Sequence, residues 1–215
     1  NNGYTASNYV LPLIFMQHGG GIHIEDIREI AYDEVLMKLL PFNKIPTTAS
    51  VGNWLRKHGR DKGQEIMHMV NKKIIKKALS LESSKSYTLD IDATEIRANK
   101  RTASYTYKKN KGYMPIVAHL AENGLIIGSE FRAGNISPST RNYEFIKSCR
   151  SSMPRGKIIT NIRADSASYQ NKVINYCYDQ GIFFTIGGDL DSSTIKAISA
   201  INKSAWQKFE DGEIA

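Results

Sequence analysis

The spacing of apolar residues changes once along the chain, near residue 83. Before that point apolar residues recur every three to four positions, which is typical of amphipathic helices. We predict helices over residues 25–40, over a short stretch around Trp54 that stops near Gly59, and over residues 61–80. Pro41 and Pro46 bracket the first connection, and Thr47 or Thr48 caps the short helix. The predicted inward sides are Ile27, Ile30, Ala31, Val35, Leu36 and Leu39 in the first helix, and Ile66, Met69, Val70 and Ile74 in the third.

After residue 83 the pattern becomes that of strands. Thr88, Asp90 and Asp92 alternate with Leu89, Ile91 and Ala93, which predicts a strand with one acidic edge. The apolar runs 113–121 and 125–132 flank Asn123-Gly124, a strong local signal for a hairpin. The remaining predicted elements are a helix over 139–150, a strand over 157–164, a helix that Ser166 caps and Gly181 ends, a strand over 182–186 and a helix over 192–202.

This order of elements predicts an α/β fold with a mixed five-stranded sheet and flanking helices. Three antiparallel strands come first and two parallel strands follow, so the first strand lies centrally, beside the fourth. That is the ribonuclease H-like arrangement. We therefore predict an all-helical section over residues 1–82, the ribonuclease H-like core over 83–203, and the start of an insertion or a tail over 204–215.

The charge of the chain indicates what kind of partner it binds. A net charge of +8 and a pI near 9.4 favour a polyanion such as nucleic acid. The helical section, whose short helix ends in Arg56, Lys57 and His58, fits a helix-turn-helix DNA-binding unit, although a plain helical bundle fits equally well. Cys149 and Cys177 are predicted to be reduced buried thiols. No signal peptide or membrane span is evident, so we expect a cytoplasmic protein.

Two carboxylates carry the candidate chemistry. Asp92 lies near the end of the first predicted strand and Asp165 at the end of the fourth, which this topology places next to it. Such a pair can share Mg²⁺ or Mn²⁺ ions, and two hard cations can bind the attacking and leaving oxygens of a phosphodiester. Asp90 shares a strand face with Asp92 and is its rival. The alternative is that these residues only cap turns.

A basic stretch leaves the first strand beside Asp92. It contains no acid between residues 97 and 111, and Tyr105 and Tyr107 are interleaved with its cations. Basic side chains neutralise phosphates, so we predict that the stretch binds DNA through Arg97, Lys100, Arg101, Lys108, Lys109 and Lys111. Arg132 and Asn135 are further candidates for phosphate binding, unless their turn is purely structural. Arg163 is a candidate either for DNA contact or for pairing with a carboxylate.

Several short segments, in order along nearly the whole chain, resemble the DDE transposases of bacterial insertion sequences. The similar segments are residues 18–21, 45–51, 89–94, 107–108, 111–115, 132–135 and 163–169. The resemblance implies that Asp92 is the first catalytic acid, because Thr94 completes the family's Asp-x-Thr ending, and that Asp165 is the second. The family's third acid, a Glu on a late helix, follows an inserted β-rich segment. We expect it beyond Ala215 and do not assign it to Glu210 or Glu213.

The resemblance further implies metal-dependent DNA cleavage and strand transfer of an insertion sequence with two Mg²⁺ or Mn²⁺ ions. The implied partners are double-stranded DNA carrying the element's terminal inverted repeats and a second copy of the chain, as a homodimer on DNA. Three alternatives remain open: a catalytically incomplete transposase remnant that only binds DNA, a ribonuclease H-like nuclease or resolvase, and a basic structural protein with accidental acids.

Overall fold

The structure is a computed structural model that describes residues 3–40, 44–60, 62–188, 190–209 and 212–214. Pro41, Asp61 and Glu210, which figure in the predictions above, lie outside the described residues, as does the side chain of Glu213. The chain divides into two compact units, Asn1–Met69 and Val70–Ala215. This division falls inside a helix, whereas the boundary predicted from the sequence follows residue 82, at the change from helix to strand.

The first unit is helical. Its helices are α1 (Ala6–His18), α2 (Ile27–Tyr32), α3 (Glu34–Leu39) and α4 (Thr48–Arg60), with a 3-10 turn at Ile24–Asp26 before α2. Met16, Ile27, Ile30 and Val51 form its buried core. The hydroxyl of Thr47 accepts a hydrogen bond from the Ser50 amide at 3.3 Å, as expected for a cap at the start of α4.

The prediction of a single helix over residues 25–40 is wrong. The chain breaks at Asp33, whose backbone is extended and whose carboxylate accepts a hydrogen bond from the Leu36 amide at 2.8 Å. This is the geometry of an N-cap, and it starts α3 as a separate helix. After the break the predicted stripe continues only in part, because Leu36 packs against the core of this unit whereas Val35 and Leu39 are exposed.

The helix α5 (Gly63–Ser80) crosses the division between the units. Its predicted inward side is also wrong, because Ile66, Met69, Val70 and Ile74 are all exposed. The residues of α5 that are buried in the core of the second unit are Ile75 and Leu79. These positions are four residues apart, so the buried side is a helical stripe rotated by about one position from the predicted one.

The second unit contains the sheet. Its remaining elements are β1 (Ser86–Ala93), β2 (Ile96–Arg97), β3 (Ser104–Tyr105), β4 (Lys111–Tyr113), β5 (Ile116–Leu120), β6 (Ile126–Glu130), α6 (Asn142–Ser152), β7 (Ile158–Ala164), α7 (Asn171–Asp179), β8 (Phe183–Ile186), α8 (Ser192–Ser199), β9 (Gln207–Phe209) and β10 (Gly212–Ile214). The main sheet has the order β6-β5-β1-β7-β8, with β1 antiparallel to β5 and parallel to β7. The predicted mixed five-stranded, ribonuclease H-like sheet is confirmed.

The sheet and its helices enclose one hydrophobic core. Tyr87, Leu89 and Ile91 of β1 are buried with residues of α6 and α7, while the alternate residues of β1 lie on the other face. A Cβ at Gly128 would come within 2.6 Å of the Cys149 sulfur, so α6 lies close against the sheet. Burial raises the pKa of the Cys149 thiol to about 12, and Cys177 is also a buried free thiol.

Two loop predictions have different outcomes. The Asn123-Gly124 hairpin is confirmed: Gly124 has a φ of 71°, and the Asn123 side chain accepts a hydrogen bond from the Leu125 amide at 2.9 Å. The helix predicted before Gly181 is present as α7, but its predicted start at Ser166 is wrong, because Ser166–Ser168 form a 3-10 turn and α7 begins at Asn171. Near the end, β9 and β10 pair as an antiparallel hairpin. In the described part of the chain no helix is long and apolar enough to cross a membrane.

Candidate active site

Asp92 and Asp165 lie side by side at the ends of two neighbouring parallel strands. The register pairs Asp90 with Arg163 and Ile91 with Ala164, so Asp92 and Asp165 are the next residues on the two strands. Ile91 is buried, and Ala164 packs against the core. Because side chains alternate along extended chain, both acids lie on the opposite face of the sheet. Paired strands are about 4.8 Å apart, so the two carboxylates can reach a shared cation.

The two acids differ in their surroundings. Both are exposed at the end of the sheet. Asp165 has an extended backbone, and its Oδ1 accepts a hydrogen bond from the Ala167 amide at 3.1 Å. Asp165 therefore caps the 3-10 turn that follows β7, and this bond orients its carboxylate. Asp92 makes no side-chain hydrogen bond to the residues that the structure describes.

Asp90, the rival of Asp92, is occupied by two partners. Arg163 donates a hydrogen bond to its Oδ2, and the His119 Nε2 lies 3.5 Å from the same oxygen. The hydrogen bond from Arg163 holds the pKa of Asp90 below its ordinary value. Since Arg163 and His119 stand on the two strands that flank β1, Asp90 is part of a cross-strand ion pair. Arg163 thus adopts the carboxylate-pairing role that was one of its two predicted alternatives.

A buried hydrogen-bond network holds the turn that carries Asp165. The Asn142 side chain is 1% exposed, and it donates to the Ser168 hydroxyl at 3.0 Å and to the Ala167 carbonyl at 3.3 Å. Its own carbonyl oxygen accepts from an Arg132 Nη1 that is 3.4 Å away. The start of α6 is thereby tied to the turn after β7.

The structure corrects the expectation that Arg132 is a phosphate ligand. Arg132 is 4% exposed, and its guanidinium lies 3.3 Å from the Glu130 carboxylate and contacts Asn142. Its Nε has no partner among the described residues. A guanidinium placed in this way supports the loop from within, which was the structural alternative for this turn. Asn135, the other candidate in the same turn, is exposed.

The basic stretch forms a small antiparallel sheet of its own, in the order β2-β4-β3. We call residues 96–113 the basic arm. Of the predicted DNA ligands, Arg97, Lys100, Arg101, Lys108 and Lys109 are exposed and Lys111 is half-buried. Tyr105 and Tyr107 are also exposed. The arm begins four residues after Asp92, so its cations belong to the same end of the sheet.

Glu95 is the residue of this region that the sequence reasoning missed. Its side chain is 7% exposed, and it accepts hydrogen bonds from the Thr106 hydroxyl, from Asn110 at 3.0 Å and from Arg97 at 3.2 Å. The hydrogen bond from Thr106 lowers the pKa of Glu95. The signal in the sequence was the single acid between the strand of Asp92 and the run of cations. That signal does not by itself reveal the burial of Glu95, because its donors Thr106 and Asn110 are distant in sequence.

In the first unit, α4 presents the residues predicted for a helix-turn-helix. The Trp54 ring stacks on Tyr9 at 5.0 Å and lies 4.7 Å from the His58 ring. Lys57 and Arg56 are exposed. The aromatic contacts give His58 a packing role within the unit, and the helix-turn-helix assignment stays a prediction.

The central β1 beside a parallel β7, each ending in a carboxylate on the same face, defines a ribonuclease H-like core of the type that carries out phosphoryl transfer. More closely, the chain belongs to the DDE transposases: it matches the family described as Transposase DDE domain group 1 over residues 4–214. Enzymes of this family cleave and join DNA, and they use divalent metal ions. No curated protein matches the sequence.

Solved structures with similar folds include transposases and integrases. The magnesium complex of the HTLV-2 integrase catalytic core domain, in its dimeric form, is 14% identical with a TM-score of 0.34, and the match covers 54% of this chain and 66% of that one. The Mos1 mariner paired end complex with Mn is 11% identical with a TM-score of 0.34, covering 93% and 67%. The piggyBac transposase synaptic complex with hairpin DNA is 11% identical with a TM-score of 0.46, covering 94% and 46%. The chain thus spans just under two thirds of the integrase core that it matches.

Proposed function

We propose that Asp92 and Asp165 are the first two catalytic acids of a DNA strand transferase and that they bind two Mg²⁺ or Mn²⁺ ions. The observation that carries the proposal is their position: next to each other on neighbouring strands, on one face, and exposed. Carboxylate oxygens are the ligands that hard divalent cations prefer. Asp92 is preferred over Asp90 because Asp90 is already paired with Arg163 and His119.

Each part of the chain then has a role in the reaction. Bound divalent ions would stabilise the attacking and leaving oxygens of a phosphodiester. Asp92 offers a carboxylate without competing hydrogen bonds from described residues, and Asp165 offers one that the Ala167 amide orients. The basic arm neutralises the phosphates that approach this end of the sheet.

We propose further that the substrate of the whole protein is double-stranded DNA that carries the terminal inverted repeats of an insertion sequence, and that two copies of the chain assemble on it. The net charge of +8 and the exposed cations of the basic arm support DNA as the partner. In this proposal the helical section over residues 1–82 contributes to gripping the duplex, and residues 204–215 open the inserted segment that precedes the third acid.

The test uses the complete protein with Asp92→Asn and Asp165→Asn. Asparagine keeps the size of the side chain and removes the charge that holds a cation. Metal-dependent cleavage of an end-labelled duplex carrying the element's end should be abolished in both variants, while DNA binding, measured by fluorescence anisotropy, stays close to that of the unchanged protein. If both variants cleave at the original rate, the assignment of the two acids is wrong.

One observation favours a second candidate, DNA binding without cleavage by this stretch of chain alone. Within the described ranges, no three His, Cys, Asp or Glu residues lie together in a way that could hold a metal ion. A carboxylate pair binds divalent ions more weakly than a set of three. Cleavage by a longer protein but not by residues 1–215 would separate this candidate from the first. Joining of pre-cut ends by the longer protein would in turn separate a transposase from a nuclease or resolvase.

A further inference from the structure

A buried carboxylate joins the basic arm to the strand of Asp92. Glu95 stands between β1 and β2, three residues after Asp92, and its side chain is 7% exposed although the residues that follow it include exposed cations. An acid in such a position would ordinarily remain in solvent and make only weak pairs. Its burial therefore indicates a specific structural task.

The hydrogen bonds to Glu95 come from two separate parts of the arm. Arg97 donates from β2, at the start of the arm, while Thr106 and Asn110 donate from the turn between β3 and β4. Thr106 is itself 5% exposed. One carboxylate thus connects the base of the arm to a turn that lies more than ten residues further along the chain.

The same two residues close the turn that presents Lys108 and Lys109. The Thr106 amide donates to the Asn110 carbonyl at 2.8 Å, and the Lys109 amide donates to the Thr106 carbonyl at 2.9 Å. Lys109 has a φ of 62°, a left-handed conformation that only a well-held turn maintains for a lysine. The Glu95 carboxylate therefore accepts hydrogen bonds from the side chains of both residues that close this turn.

The base of the arm is rigid for a separate reason. A Cβ at Gly134 would collide with the backbone carbonyls of Gly112 and Ser104, so the loop after β6 lies directly on β3 and β4. The isolated bridge between Tyr113 and Ala133 reinforces this contact. The backbone fixes the three short strands, and the side chain of Glu95 fixes the turn that extends from them.

We propose that Glu95 is a positioning residue for DNA: through Thr106 and Asn110 it holds Lys108 and Lys109 at a fixed place relative to Asp92. The inference rests on the proposed function, since it assumes that the basic arm contacts DNA beside the metal-binding acids. If Glu95 holds this turn in place, Lys108 and Lys109 contact phosphates at the same time as the other cations of the arm. In a loosened turn the two lysines would not both reach phosphates, because ordering them on binding carries an entropic cost.

The test exploits a matched pair at Thr106 in the complete protein. Thr106→Val keeps the shape and removes the hydroxyl donor, whereas Thr106→Ser keeps the donor. Binding to a fluorescently labelled mixed-sequence DNA duplex is measured over a range of salt concentrations. Each phosphate contact contributes about 0.9 to the slope of log K against log salt, so Thr106→Val should lower the slope by about 2. Thr106→Ser should keep the slope of the unchanged protein.

A merely structural role gives a different result. It would lower the Tm of Thr106→Val and leave the slope unchanged, because the folded protein would still contact the same number of phosphates. That result overturns the inference. Glu95→Gln and Glu95→Ala provide a second pair. The Gln carbonyl oxygen can accept from Asn110 while its amide donates to the Thr106 hydroxyl, so Gln should keep most of the slope. Ala has no such group and should lower the slope by about 2.

The double variant Lys108→Gln/Lys109→Gln separates this inference from the proposed function. If the double variant lowers the slope by about 2 and Thr106→Val does not, the lysines bind DNA but Glu95 does not position them. If the double variant also leaves the slope unchanged, the turn is not at the DNA, and the proposed role of the basic arm fails together with the inference.

Discussion

Asp90 and Asp92 share one face of β1, but the protein uses them differently. Asp90 lies between the Arg163 guanidinium and the His119 ring on the two flanking strands, with its side chain 20% exposed. Asp92 is one alternation further along, at the end of the strand and beside Asp165. A carboxylate that already accepts from an arginine has to give up that bond to hold a cation, and this costs free energy. This argument supports Asp92, and not Asp90, as the partner of Asp165 in the proposed metal site.

Asp90→Asn and Asp92→Asn should consequently have unequal effects. Arg163 is 59% exposed, so loss of its pairing with Asp90 should cost about 1 kcal/mol or less. Even if all of that energy were lost from transition-state stabilisation, the rate of cleavage by the complete protein would fall by only about fivefold, and we expect a decrease of that size or less. Asp92→Asn should abolish both cleavage and Mn²⁺ binding, as measured by electron paramagnetic resonance titration. The reverse order of effects would make Asp90 the first acid.

The sequence allowed some of these residues to be identified and not others. The alternation of polar and apolar residues in β1 is a local signal, and with the predicted sheet order it led to Asp92 and Asp165. The burial of Arg132 and Glu95 is not local. Arg132 is buried because its partners come from β6 and α6, and Glu95 because its donors come from a turn that folds back onto it. Contacts of this kind carry no periodicity.

At the level of elements, the turn after β7 matters most for the second acid. It is a single 3-10 turn of three residues, too short to hold its own shape. Asn142 at the start of α6 fixes it from the side, and Gln170 adds a bond of 2.7 Å to the Ser139 carbonyl. The direction of the Asp165 carboxylate thus depends on a helix that begins more than twenty residues earlier.

Asn142→Ala should loosen this turn. The substitution leaves buried polar partners unsatisfied, including the Arg132 guanidinium, so the free energy of unfolding should fall by about 1–3 kcal/mol. Mn²⁺ affinity should fall as well, because Asp165 is no longer held in place. Chemical denaturation and metal titration measure the two effects.

The exposed Asn135 provides the control. Asn135→Ala should change stability by about 0.5 kcal/mol or less and leave Mn²⁺ affinity unchanged. If Asn142→Ala binds Mn²⁺ as tightly as the unchanged protein does, the network is not needed to orient Asp165.

Element prediction succeeded where the apolar pattern was long and failed where one side chain overrode it. The five strands of the main sheet were predicted at nearly their observed positions. The helix over residues 25–40 failed because a single carboxylate, that of Asp33, starts a new helix in the middle of a continuous pattern. The strands β2, β3 and β4 were missed because runs of two or three residues are too short to show alternation.

For the molecule as a whole, the sheet order was predictable because few topologies satisfy the rules of connection. A hairpin signal followed by two strand-helix-strand units leaves little choice once crossovers are right-handed.

The location of the functional surface was less predictable. The net charge of +8 indicates a polyanion but not the surface that binds it. Two exposed lysine-rich surfaces compete for this role: the basic arm, and Lys72, Lys73, Lys76 and Lys77 on α5.

Two sets of substitutions with equal charge change decide between these surfaces. One replaces Lys100, Arg101, Lys108 and Lys109 of the basic arm by glutamine, and the other replaces Lys72, Lys73, Lys76 and Lys77. Both remove four positive charges from exposed side chains, so any effect of net charge alone is the same in the two proteins. The effect of contact is not the same, because only residues at the DNA release counterions on binding.

We expect the basic-arm set to lower the salt slope of duplex binding by about 3 or more, and the α5 set to change it by less than about 1. The measurement is fluorescence anisotropy over a series of salt concentrations, with Tm values for both variants to show that they are folded. Equal losses in the two sets would mean that DNA binding follows overall charge. A loss confined to the α5 set would show that the duplex lies on α5 and not on the basic arm, and the proposed role of the basic arm in DNA binding would be wrong.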